Sequence, residues 1–263
     1  MMHPLSFGLL VLLIFCFGIT IGSFLNVVIY RLPLRQSIVF PGSHCPNCNH
    51  SIPWYLNIPI LSYIFLFGKC GFCKNSISIR YPLVEALTGG LFCLTFYRFG
   101  FQWATPVLWV FVATLVCISF IDIDHRIIPD VISLPGILVG FSASFVLPWV
   151  SWSDSLLGIL LGGGSLYFVA VVYELLTKKE GMGGGDIKLL AMLGAFLGWK
   201  AVLPIIFFGS LLGTIIGVPL MIIHKADSKL AIPFGPFLAI GSLIYLYWGP
   251  IIIRWYLGLF LNA

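Results

Sequence analysis

"LSFGLLVLLIFCFGITIGSFLNVVIY", residues 5–30, runs for 26 residues without one charged side chain. A bilayer-crossing helix requires about 17–25 predominantly apolar residues, so this stretch is long enough to span. It has no basic n-region and no small-residue cleavage site, and it exceeds a secretory h-region. It is therefore expected to stay as an anchor helix. Gly18 and Gly22 stand four apart within it, a spacing that admits a second helix closely or that merely places two glycines on one face.

The rest of the chain is of the same kind. Its 263 residues are 60% hydrophobic and 9% charged, with a mean hydropathy of +1.07, against roughly 25% charged residues in soluble domains. The lipid bilayer is thus the solvent in which the fold must be argued. A net charge of +5 spread over so few residues makes no nucleic-acid surface, which excludes nucleic acid as a partner. Further apolar runs at 83–99, 103–121, 131–149, 155–176, 187–199, 201–224 and 232–258 bring the expected spans to eight. The fold class expected is an all-α polytopic membrane protein. The run 187–199 rises only about 20 Å as a helix and is expected inside the bundle, shielded from lipid.

With an external N-terminus, eleven of the fourteen basic residues fall on the cytosolic side, and only Arg98, Lys200 and Arg254 fall outside. The organisation expected is a first transmembrane helix at 1–30, a cytosolic zinc-binding domain at 31–82 and a transmembrane core at 83–263. The insert carries "CPNC" (Cys45, Cys48) and "CGFC" (Cys70, Cys73), whose spacing suits four thiolates around one Zn²⁺. A reduced cytosolic loop disfavours disulfides, and no thioredoxin-like unit accompanies the C-x-x-C pairs. His44 and His50 read as solvated loop residues, and Cys16, Cys93 and Cys117 as small apolar-run residues. Four protein ligands close the coordination sphere, so the metal is structural and catalysis belongs elsewhere.

Only nine residues are acidic. Asp122, Asp124 and Asp130 occur in "FIDIDHRIIPD" (120–130), and Asp186 follows Gly183, Gly184 and Gly185 in "GMGGGDIKLL" (181–190). Both groups stand where spans meet one face of the membrane, and acids there call for a functional reading. Two carboxylates sharing a proton supply one acid and one base. Asp122 and Asp124 point about 200° apart on a helix, so they cannot both face one partner. Spacing alone leaves open which of them pairs with Asp186, although Asp122 is the more embedded. Asp130 follows Pro129 and reads as a helix-start acid. The glycines before Asp186 allow positive φ and close approach of an extended substrate. A dinucleotide loop fails, because Asp186 occupies the third glycine position and no strand precedes. A re-entrant turn with a helix-capping Asp is the bland alternative.

The motifs "GSFLNVVIYRLP" (22–33), "CPNC", "CGFC", "RYPLVE" (80–85), "DIDHRIIPD" (122–130), "GMGGGDIKLLAMLGAF" (181–196) and "IPFGPFLAIG" (232–241) cover almost the whole chain. Together they closely resemble the type IV prepilin peptidases, bifunctional membrane aspartyl peptidases with N-methyltransferase activity. The resemblance implies Asp122 and Asp186 as the catalytic pair. It also implies S-adenosylmethionine as methyl donor, type IV prepilins and pseudopilins as substrates, and a bacterial inner-membrane location with the active site on the cytosolic face. It names no residues for the methyl donor. Glu85 is an embedded acid that contacts substrate or cofactor, or pairs with a cytosolic base. Two other readings stand beside this one: a proton- or cation-coupled transporter using the same aspartates, and a zinc-bearing membrane scaffold that needs neither.

Overall fold

The computed structural model describes residues 4–178, 183–223 and 233–261. Among these residues the secondary structure is helical: α1 (Pro4–Arg31), α2 (Leu61–Phe65), α3 (Arg80–Phe99), α4 (Ala104–His125), α5 (Asp130–Ala143), α6 (Trp152–Thr177), α7 (Gly184–Leu197), α8 (Trp199–Ile223) and α9 (Gly235–Leu261). Each of the eight apolar runs forms a helix, and α2 is a short addition in the polar insert. Five are long and apolar enough to cross a membrane: most of α1, all of α4, α6 and α8, and Gly235–Trp255 within α9.

The other three fall short for visible reasons. α3 carries Arg80, Glu85 and Arg98 within twenty residues. α5 and α7 have 14 residues each, about 21 Å of helix against a hydrocarbon core of ~30 Å. The run expected to 149 ends as helix at Ala143, before a turn that leads to Pro148. α7 stops at Gly198, whose φ of 78° ends the helix in a conformation that side chains resist.

Contacts divide the chain into two compact units, Met1–Cys117 and Ile118–Ala263. In the first, α1 packs along α3. A Cβ at Gly18 would lie 2.7 Å from Gly89 Cα, and one at Gly22 would lie 2.7 Å from Glu85 Cα. The four-residue spacing is therefore a helix-crossing surface. Inside lipid, apolar burial gives little net drive, and close backbone approach with dense van der Waals contact holds such a pair. Phe92 stacks on Trp109 at 5.3 Å, and the Trp109 indole donates to Phe92 O at 3.0 Å.

In the second unit α7 is the centre. Every residue from Leu189 to Leu197 is buried, because α5 and α6 pack against it on different sides. Gly158 of α6 and Gly194 of α7 meet backbone to backbone, and Ser155 Oγ donates to Ala195 O at 2.7 Å. A helix apolar on all faces needs such a position, and its short rise is tolerable because protein rather than lipid surrounds it. α8 and α9 form the remaining packed pair.

Candidate active site and metal centre

Asp122 lies one turn before the end of α4 and is 5% exposed. Its Oδ2 accepts the backbone N–H of Gly235, the first residue of α9, at 2.9 Å. The first N–H groups of a helix have no partner within the helix, so a buried carboxylate there satisfies a donor and sits at the positive end of the dipole. Asp186 occupies the equivalent place on α7, in its first turn and half-buried. Its own N–H bonds Gly183 O at 3.2 Å. Gly183, not Asp186, is the N-cap, and no side chain caps the helix.

The two carboxylates stand at helix starts, those of α9 and α7, that meet at one residue of the chain after α4. Ile128 explains how they are brought together. It is buried, and a Cβ on Gly185 would meet its Cβ at 2.9 Å, while a Cβ on Gly235 would meet its Cδ1 at 3.3 Å. The chain just after α4 thus wedges between the starts of α7 and α9. The expectation of positive φ at the glycines is corrected on this point: Gly183 has φ −69°, and Gly184 and Gly185 already belong to α7. The requirement at 185 is room for Ile128. Gly181 and Met182 lie outside the described residues.

The neighbouring acids are placed differently. Asp124 is exposed, as its offset of two positions from buried Asp122 requires. Asp130 sits in the first turn of α5 and holds Lys188 of α7 through both oxygens at 2.7 Å. This exposed ion pair braces α5 against the first turns of α7, with a strength of at most about 1 kcal/mol. Glu85 belongs to the first unit, is 7% exposed, and accepts the Ile60 N–H at 2.7 Å. That bond ties the polar insert to α3.

The insert builds two matching knuckles. Cys45 N–H donates to His50 O and Asn49 N–H to Cys45 O; Cys70 N–H donates to Asn75 O and Lys74 N–H to Cys70 O. Asn49 and Lys74 share the same left-handed φ, 57° and 61°, and isolated bridges His44–Ser51 and Lys69–Ser76 close the two loops. Cys45, Cys48, Cys70 and Cys73 bring their sulfurs within 4.8 Å of one another. The Cys45–Cys73 separation of 3.8 Å is far beyond a ~2.05 Å disulfide and matches the edge of a ZnS4 tetrahedron with ~2.3 Å bonds. The four thiols therefore fit a zinc ion. Backbone N–H groups of Cys73 and Phe72 hold the Cys70 thiol down at about 6, which keeps it a thiolate at neutral pH. His50 stacks on Phe72 at 3.6 Å, and His44 Nδ1 bonds Gly42 O at 3.1 Å, so neither joins the cluster.

Residues 16–99 match the family model for the bacterial peptidase A24 N-terminal domain, and residues 109–218 match that for the type IV leader peptidase family. The prepilin leader peptidase/N-methyltransferase of Pseudomonas aeruginosa is 41% identical over 97% of this chain and 95% of its own length. The chain belongs to the type IV leader peptidase family. Proteins of the same name from Aeromonas salmonicida and Myxococcus xanthus are 39% and 43% identical, over 94% and 83% of this chain and 93% and 66% of their own lengths. No solved structure matches.

For this leader peptidase family chain, sequence reasoning assigned no part to Gly235 or Ile128. Gly235 lies 113 residues from Asp122, and no periodicity links them. The available signal was the "PFGP" stretch, a glycine between prolines where an apolar run begins.

Proposed function

We propose that the chain is a membrane aspartyl endopeptidase that removes the leader of type IV prepilins and pseudopilins and methylates the new N-terminal residue. Asp122 and Asp186 are its catalytic pair. The observation that carries this reading is that buried Asp122, bonded to Gly235 at the start of α9, and half-buried Asp186, next to Gly185 in the first turn of α7, flank one residue, Ile128. One carboxylate, ionised, takes a proton from a water attacking the scissile carbonyl. The other, protonated, gives its proton to the carbonyl oxygen; as the intermediate collapses, the first carboxyl passes the water's proton to the departing amine and the second takes back the proton of the hydroxyl that becomes the new carbonyl. Mutual repulsion at short range keeps a single shared proton on the pair.

A cavity of about 310 Å³ beside Phe234 and Phe237, lined also by Gly213, Gly217 and Met221, adjoins the residue that holds Asp122. It offers an apolar berth for a side chain flanking the cut. Eight membrane-crossing helices, with α3, α5 and α7 completing the bundle, are the topology that goes with this reading. The basic-residue bias then puts the active site and the 31–82 zinc domain on the cytosolic side of the inner membrane. Zinc on Cys45, Cys48, Cys70 and Cys73 clamps a loop too small for its own core, and its closed sphere leaves no position for an activated water. S-adenosylmethionine supplies the methyl group to the new amine, a role that rests on the relatives. Nothing in the described residues favours the transporter reading over this one.

Purified chain incubated in detergent with a prepilin, with and without S-adenosylmethionine, tests the reading by product mass. Leader loss in both tubes, with one added methyl group only in the second, is expected. An uncut prepilin contradicts it.

A further inference from the structure

Arg31, the last residue of α1, is 6% exposed. Its Nη1 donates to Ser37 O at 3.1 Å and Pro41 O at 2.7 Å, and its Nη2 to Gly42 O at 3.1 Å. Carbonyl dipoles soften the cost of burying the guanidinium but leave its charge unbalanced. Among the described residues no carboxylate forms an ion pair with Arg31. Arg31, Arg35, Lys69, Lys74 and Arg80 are all basic, and no Asp or Glu precedes Glu85. Glu85 itself is committed to Ile60 and lies within α3.

The guanidinium opens on a cavity of about 370 Å³ lined by Arg31, Gln36, Ser37, Phe40, Pro41 and His44. That volume lies within the ~300–1,000 Å³ of small-ligand sites. Its place in the fold decides the ligand. α1 is a membrane-spanning helix that ends at Arg31, so the cavity opens at the depth of the lipid headgroups whichever way the chain is oriented. The chain continues with exposed apolar side chains at Leu34, Ile38, Val39 and Phe40, the last 76% exposed. They suit an acyl-chain boundary rather than open water.

We propose that this cavity is a binding site for the phosphate of an anionic phospholipid, gripped by Arg31 with Gln36 and Ser37 at its rim. Three donations from the guanidinium go to carbonyls, which leaves two of its five N–H groups, among the described residues, to donate to a phosphate. A methyl donor fits less well. Its single carboxylate would pair with Arg31, but its sulfonium and ammonium would bring two cations into an insert whose charged residues are all basic.

Native mass spectrometry of the purified full-length chain with phosphatidylglycerol or phosphatidylcholine measures the site directly. The unmodified chain is expected to retain phosphatidylglycerol about tenfold better, because both lipids offer Arg31 a phosphate but phosphatidylcholine also brings a quaternary ammonium beside it. Arg31→Gln should lower that ratio to near one. Because Arg31 also ties its loop together, Gln36→Glu is the companion variant. It keeps the size of an exposed side chain and sets an anion in the phosphate's place, and it too should abolish the preference with zinc retained. Lys69→Gln, an exposed charge of the same insert, should leave the ratio unchanged. Equal retention of the two lipids by the unmodified chain, or an undiminished preference in Gln36→Glu, overturns the proposal. Displacement of phosphatidylglycerol by S-adenosylhomocysteine also overturns it, by making the cavity a small-molecule site.

Discussion

Replacing Gly235 by alanine adds one carbon at the point where Asp122 is held. That Cβ falls 2.8 Å from Asp122 Oδ2, 3.3 Å from Cγ and 3.3 Å from Ile128 Cδ1. Ordinary contact begins near 3.4 Å, so the carboxylate and the start of α9 must part by about 0.6 Å, an overpacking that costs roughly 1–3 kcal/mol. Gly235 is not in the left-handed region, and alanine brings no backbone penalty there. The whole effect then comes from the steric push on Asp122 and the stretching of its 2.9 Å bond to the Gly235 N–H. A misplacement of ~1 Å at a catalytic group costs about 10²-fold, so a shift of this size should slow leader removal by roughly 10- to 100-fold. The assay is the initial rate of cleavage of a prepilin in detergent, read by mass, with the melting temperature and zinc content measured on the same sample. A variant that stays folded, keeps its zinc and cleaves within about twofold of the unmodified chain would refute the placement of Asp122 as a reacting group.

Cys45→Ser removes one of four ligands and should drop bound zinc from one per chain toward none, with residues 31–82 becoming protease-sensitive; elemental analysis and limited proteolysis check both. The Cys70 thiol, held at about 6, is already ionised at pH 7.5 and largely protonated at pH 5. Zinc uptake should therefore release about one proton more per chain at the lower pH on account of this residue, measurable by calorimetry in buffers of different ionisation enthalpy. The sign follows from a lowered value, since the metal-ready form is present above it and lost below. Asp130→Asn breaks an exposed ion pair with Lys188 and should cost under about 1 kcal/mol in stability, with cleavage within about twofold of normal.

Much of the fold was legible because lipid imposes a simple rule. Every backbone polar group must be satisfied within its own segment, so long apolar runs become helices, and all eight runs did. Run length was less informative about crossing: α5 and α7 reach only about 21 Å. The short run 187–199 was expected inside the bundle, and the burial of Leu189 through Leu197 agrees. The four cysteines were readable from spacing alone, since a C-x-x-C turn is local geometry. The aspartates were only half readable. Helical geometry showed that Asp122 and Asp124 face different ways, and embedding together with the resemblance favoured Asp122, but nothing local pointed to the α9 N–H that holds it. Ile128 against Gly185 and Gly235 is likewise a contact among three distant segments. The Arg31 cavity has no signature in the sequence, because a basic residue at the end of an apolar run is ordinarily a topology signal.

Asp122→Asn and Asp186→Asn, each purified in detergent and given a prepilin, test the paired-carboxylate account most directly. Asparagine keeps the shape of each side chain and removes its capacity to exchange a proton. Both variants should retain zinc and methylate a pre-cut pilin peptide while leader removal falls by at least about 10³-fold. Leader removal at a near-normal rate by either one would contradict the account.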